Sequence, residues 1–121
     1  MDGDRTEPLR EPPVRGTERH GEATVLRLGG ELDLYNADEV RSALTSAIDG
    51  GTERIVVDMS EVEFVDSTAL GVLIEARSKI GHHGLLLAAP QAETRRTLQV
   101  SGLDRHLAVH DSVDGALAAA S

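Results

Sequence analysis

Cysteine is absent from the 121-residue chain, and its absence removes disulfides, thiolate nucleophiles and thiolate metal sites together. Tryptophan is absent too, and the aromatic side chains reduce to Tyr35 and Phe64. The core must therefore be built from Val, Leu, Ile and Ala, which argues against an aromatic-lined ligand pocket. Positive charge is in short supply. Twelve Lys and Arg stand against 21 Asp and Glu, for a formal net charge of -9. With no basic cluster to offset it, such a surface repels phosphate backbones and anionic lipids, so neither nucleic acid nor a membrane is expected as a partner. The longest apolar run, Leu85 to Ala89, falls far short of the roughly 20 residues that span a bilayer. The opening residues Met1 to Glu7 lack the apolar stretch of a signal peptide, and a cytoplasmic protein is expected. Eleven of the 12 basic residues are Arg, the bias of a GC-rich bacterial genome.

The length suits one well-buried core and is too short for two ordinary domains. Residues 1–12 combine Pro, Gly and charge with almost no apolar partner and are expected to form a disordered tail. The domain is expected over 13–121. Val14 to Glu18, the turn His20-Gly21-Glu22 and the apolar stretch Ala23 to Leu32 suggest an N-terminal hairpin, with a bulge or a close backbone approach at Gly29-Gly30. Asn36, three residues before Glu39, has the spacing of a capping box. Ala37, Val40, Leu44, Ala47 and Ile48 form the apolar stripe of the helix it would open, and Asp49-Gly50-Gly51 would close it. Ile55-Val56-Val57 marks the centre of a sheet buried on both faces, in a strand that runs from Arg54 to Met59 and leads into a loop. A second helix is expected after Asp66, with Leu70, Leu73, Ile74 and Ile80 inward and Gly81 as its stop. Leu85 to Ala89 reads as another buried strand ended by Pro90. A third helix over 91–101 places Ala92, Leu98 and Val100 inward. A short strand at 107–110 and a helix capped by Asp111-Ser112 complete the alternation, which is that of an α/β layer architecture.

Chemistry concentrates where the central strand gives way to its helix. Asp66, Ser67 and Thr68 put hydroxyls beside a carboxylate among the unpaired N–H groups of a helix start. The plain reading is that Ser67 or Thr68 caps the helix, worth about 1 kcal/mol. The functional reading is an accessible acceptor: Ala69 and Gly71 keep the first turn small, Val65 and Leu70 anchor its flanks, and a helix N-terminus accommodates a phosphate. Hydrolase chemistry is not indicated, because the G-x-S-x-G elbow is missing and no histidine is tied to Ser67. His82 and His83 are adjacent, point different ways and lack a third ligand at metal spacing, so a turn explains them better. Asp58 resembles the phospho-accepting aspartate of receiver domains, but the acidic pair and late lysine of such a site are missing. No Gly-rich phosphate loop supports a nucleotide-binding enzyme.

Gly30-Glu-Leu-Asp33, Ile55-Val-Val-Asp-Met-Ser60, Phe64-Val-Asp-Ser-Thr-Ala-Leu-Gly71, Ser101-Gly-Leu-Asp104 and Val109-His-Asp-Ser112, in this order and spacing, resemble the bacterial anti-sigma factor antagonists with a STAS domain. The resemblance covers about residues 14–120. It implies a single STAS domain with a mixed, largely parallel sheet of four to five strands, an N-terminal hairpin and about four helices. It also implies a non-enzymatic regulator that, unphosphorylated, binds an anti-sigma factor with kinase activity and so releases a sigma factor. In that reading Ser67 accepts the phosphate, Thr68 is a secondary acceptor, and Asp33, Leu34, Tyr35, Asp66, Ser67, Thr68, Ala69 and Leu70 meet the partner. The chain itself needs no cofactor, since ATP and Mg belong to the partner kinase. A phosphatase restores binding, and the free protein is expected to be a monomer. Ala69 stands where many relatives carry Gly, which adds a methyl near the acceptor. The alternative within the same resemblance is a STAS scaffold subunit of a larger sensory or stress-signalling assembly.

Overall fold

A computed structural model describes residues 10–81 and 83–120. Strand β1 (Val14–His20) turns at Gly21 into β2 (Ala23–Leu32), and helix α1 (Ala37–Asp49) leads to β3 (Arg54–Val65). Helix α2 (Ser67–Ile80), β4 (Leu85–Ala88), α3 (Ala92–Ser101), a 3-10 turn at Leu103–Arg105, β5 (Ala108–His110) and α4 (Val113–Ala120) follow. The five strands lie in chain order, β1 antiparallel to β2 and every later neighbour parallel. The result is the expected single α/β domain with a five-stranded, largely parallel sheet, an N-terminal hairpin and four helices.

The consecutive apolar residues of β3 alternate between two packed layers. Ile55 and Val57 join Leu26, Leu28, Leu85 and Leu87 beneath α1 and α2. Val56 joins Val25, Leu86 and Ala88 on the opposite face, where Ala116, Val113 and Leu117 of α4 cover them. The last helix starts as expected, with Ser112 Oγ accepting from the Gly115 N–H at 2.9 Å. Leu98 sits in the first layer. Gly102 closes α3 in the left-handed region, and Gly81 ends α2 by donating to the Arg77 carbonyl at 2.9 Å.

Three sequence expectations give way. First, β3 does not stop at Met59 but continues to Val65, so the segment read as a loop is strand. Its pairing with β2 slips twice, between Arg27 and Gly29 and again between Gly30 and Glu31, each time with an extra residue on β3. The bulges break the alternation, and the buried residues Met59, Val62 and Val65 fall three apart. Gly30, at φ +75, lies opposite this irregular stretch. Second, the Asn36 side chain does not cap α1. It turns back into the preceding loop, accepting from the Asp33 N–H at 2.9 Å and donating to the Glu31 carbonyl at 2.8 Å. Third, α3 packs through Thr94 and Leu98, whereas Val100 is 79% exposed and Ala92 also faces solvent.

Residues 1–9 of the expected tail, and His82, lie outside the described residues. Arg10 to Pro13, in contrast, are held against the sheet: the Gly29 N–H donates to the Pro13 carbonyl at 3.0 Å, and Arg15 Nε donates to the Pro12 carbonyl at 2.9 Å. No helix among the described residues is long and apolar enough to cross a membrane.

The revised packing of α3 has a direct test. Leu98→Ala should destabilise the protein by about 2 to 5 kcal/mol, whereas Val100→Ala should change stability by less than about 0.5 kcal/mol in urea unfolding. A comparable loss from both substitutions would restore the original packing expectation.

Candidate functional site

Parallel pairing carries β2 and β3 to a common end, with Leu32 opposite Val65 and the Asp66 N–H donating to the Leu32 carbonyl at 3.0 Å. The loop 33–36 and the start of α2 consequently emerge side by side. Asp66 joins them. It is the N-cap of α2, in extended backbone, and its Oδ1 accepts from the Ala69 N–H at 2.9 Å while its Oδ2 accepts from the Leu34 N–H at 3.0 Å. One carboxylate thus satisfies an open helix donor and a loop donor.

The loop is folded by its own polar side chains. Asp33 Oδ1 accepts from the Tyr35 N–H at 3.0 Å, and buried Asn36 closes the other side through its bonds to Asp33 and Glu31. Arg10 reaches in from the N-terminal segment, 3.1 Å from Asp33 Oδ2. Burial works to raise the Asp33 carboxyl, but the Arg10 hydrogen bond, the Tyr35 N–H and the Arg10 charge outweigh it, and the group sits below its ordinary value. With Asp33 and Asn36 turned inward, Leu34 and Tyr35 are left outside, 60% and 82% exposed. Behind the loop, Arg41 of α1 donates to Glu75 of α2 at 3.2 Å and also pairs with Asp38. That contact ties the two helices whose starts form the site.

Ser67 is the first helical residue, exposed, with exposed Thr68 beside it. Because Asp66 supplies the cap, the plain reading of Ser67 or Thr68 as the cap does not hold, and neither hydroxyl makes a hydrogen bond among the described residues. Gly71, one turn further, faces open space. Ala69 and Leu70, however, are 1% and 7% exposed and belong to the core. They anchor the first turn from beneath and present little surface of their own. The Ala69 methyl points into the protein and does not crowd the hydroxyl.

The structure brings together Asp33, Leu34, Tyr35, Asp66, Ser67 and Thr68, and it adds residues the sequence did not offer. The bulge before Phe64 reverses its side, leaving it 54% exposed. With Val65, Thr94 and Val100 it lines a groove of about 390 Å³ between the end of β3 and α3, with Glu63 and Glu93 also in its wall. Leu34, Tyr35, Phe64 and Val100 are the large apolar side chains exposed among the described residues. Two follow β2, one closes β3 and one closes the helix packed against it. A lone Phe between Glu63 and Val65 was a faint signal, unreadable without the bulge.

The STAS domain family model matches residues 14–116. An anti-sigma-F factor antagonist of Mycobacterium tuberculosis is 32% identical over 101 residues, covering 79% of this chain and 83% of that protein. The crystal structure of an anti-sigma factor antagonist from Mycobacterium paratuberculosis superimposes with a TM-score of 0.80 at 30% identity, over 86% of this chain and 90% of that one. The anti-sigma factor antagonist SpoIIAA, solved in its unphosphorylated form, gives a TM-score of 0.66 at 26% identity over 78% and 85%.

Two expected outcomes follow from the geometry. Asp66→Ala should cost about 1 to 2 kcal/mol of unfolding free energy, and Ser67→Ala less than about 0.5 kcal/mol. A larger loss at Ser67 would mean that it, too, caps the helix. A carboxyl titration followed by NMR should place Asp33 below the ordinary 3.8 and move it upward in Arg10→Ala. Since the folded value is the lower one, the stability Asp33 contributes is present above pH 3.8 and is lost as pH falls through the lowered value. An unmoved Asp33 in Arg10→Ala would contradict the pairing.

Proposed function

The chain belongs to the STAS-domain family, and from that premise we propose that it is an anti-sigma factor antagonist controlled by phosphorylation of Ser67. In its unphosphorylated form it docks on an anti-sigma factor that is also a serine kinase, and the sigma factor is released. The partner supplies ATP and Mg. The Ser67 oxygen takes the γ-phosphoryl group, ADP leaves and the hydroxyl proton passes to the partner. A phosphatase reverses the modification. The chain acts as ligand and substrate in this scheme and carries out no catalysis of its own.

The observation that carries this reading is the position of Ser67: exposed at the first turn of α2, relieved of capping by Asp66, whose second oxygen ties in the loop of exposed Leu34 and Tyr35. A docking surface needs apolar contact area around its centre, and those side chains supply it. The anti-sigma factor antagonist names of the relatives support the same partner class.

The effect of phosphate follows from charge. A phosphoserine adds about -1.5 to -2 charges at neutral pH. At a helix N-terminus the dipole favours it by roughly 0.3 to 1 kcal/mol, so the domain keeps its fold. A partner carboxylate roughly 5 Å away, at an effective dielectric of about 20, would be repelled by about 3 kcal/mol per charge pair, more than a hundredfold in affinity. The switch therefore acts on the complex and leaves the free protein folded.

Incubation with the candidate anti-sigma kinase and MgATP, followed by intact-mass and peptide analysis, should show one added phosphate on Ser67. Ser67→Ala should bind but resist inactivation, and Ser67→Asp should bind more weakly at nearly unchanged thermal stability. Absence of phosphate on Ser67, with transfer to Thr68 alone, would move the switch to the neighbouring hydroxyl. No transfer at all, together with no binding, would overturn the function.

A further inference from the structure

We propose that Arg10 is a positioning residue for partner docking: its guanidinium latches Asp33 and the Glu31 carbonyl so that Leu34 and Tyr35 are held beside Ser67. The inference rests on the docking role proposed for that loop and names a residue that controls it from outside the family motifs.

Arg10 bridges 21 and 23 positions of sequence to reach the loop. Its Nη2 donates to the Glu31 carbonyl at 2.8 Å and lies 3.1 Å from Asp33 Oδ2, while Nη1 lies 3.5 Å from Asp33 Oδ1. The Glu31 carboxylate, at 4.0 Å, adds a weaker attraction. A planar fork that meets a carbonyl and a carboxylate together suits Arg and not Lys. Both acceptors already belong to the loop's internal frame. The Glu31 carbonyl receives Asn36 Nδ2, and Asp33 Oδ1 receives the Tyr35 N–H. Among the described residues the loop is tied from outside by Asp66 at Leu34 and by Arg10 at Asp33.

The latch is itself anchored. Pro13 is pinned to Gly29, and the Arg15 side chain bonds to the Pro12 carbonyl and pairs with Glu11 at 3.1 Å and Glu61 at 3.3 Å. The Arg10 backbone therefore lies two residues from a hydrogen bond to the Arg15 side chain and three from one to β2. Among the described residues, the charged groups beside Asp33 are the Arg10 guanidinium and, on the same cation, the Glu31 carboxylate. Removing Arg10 takes from Asp33 the cation paired with it. Asp33 is then free to turn to water, which releases the Tyr35 N–H and with it the presented side chains.

Three variants, Arg10→Ala, Arg10→Lys and Asp33→Asn, with the Arg10→Ala/Asp33→Asn double, test the latch. In the free protein, amide hydrogen exchange at Leu34 and Tyr35 should speed up in Arg10→Ala while the core of the sheet stays protected. This readout holds whatever the partner is. Affinity for the anti-sigma kinase should fall roughly three- to tenfold in Arg10→Ala, with Lys restoring only part of it. Arg10→Ala should add little loss in the Asp33→Asn background, and the ratio of wild-type to Arg10→Ala affinity should widen as pH falls into the ordinary carboxylate range. Unchanged exchange at both amides overturns the latch. So does an affinity loss equally large with and without Asp33. Faster exchange with no binding by the wild-type protein would instead confirm the latch while removing the docking role on which its purpose rests.

Discussion

Everything at the functional end of this protein depends on the two oxygens of Asp66. Capping α2 and holding Leu34 are separate tasks in chain terms, since the two contacts connect segments 32 residues apart. They become one task because parallel pairing ends β2 and β3 at the same level. A carboxylate at that junction meets donors from both. The helix start and the loop are then joined, and the exposed Ser67 hydroxyl next to Asp66 makes no hydrogen bond among the described residues.

That division of labour matters for a phosphorylation switch. If Ser67 were the cap, adding phosphate would replace a structural bond, and control would come with a change in stability. With Asp66 as the cap, the hydroxyl can be modified while the helix keeps its first-turn bonds, and the dipole tolerates the added charge. The acidic surroundings act the other way: a net charge of -9 favours a partner that brings cations, so the loss of affinity proposed for phosphoserine has to come from a partner carboxylate close to Ser67.

The sheet core was legible because burial on two faces leaves a plain mark: Ile55-Val56-Val57 and Leu85-Leu86-Leu87 read as buried strands, and they are. The hairpin, the Gly81 stop and the Ser112 cap follow from local chemistry that short windows carry. The end of β3 was not legible. Two bulges convert a period of two into a spacing of three at Met59, Val62 and Val65, and no local pattern announces strand there. Phe64 was hidden for the same reason. Asn36 has a capping residue's identity and spacing, but the loop offered its amide two partners at once and prevailed over the helix. Val100 has an apolar side chain on a helix whose core contact is made by Leu98, and sequence alone could not say which of the two faces inward. Of the site, the motif residues Asp33, Asp66, Ser67 and Thr68 were readable from resemblance. Arg10 was not, because its importance is a long-range contact made from a stretch whose composition reads as a tail.

The most direct measurement compares unmodified protein with protein fully phosphorylated on Ser67, each titrated into the anti-sigma kinase by calorimetry and each melted in parallel. A loss of affinity of roughly a hundredfold or more, with melting temperatures that nearly coincide, is the expected result. Equal affinities would contradict a switch at Ser67. A loss of affinity accompanied by a large drop in melting temperature would contradict its mechanism, because the phosphate would then be acting on the fold and not on the partner.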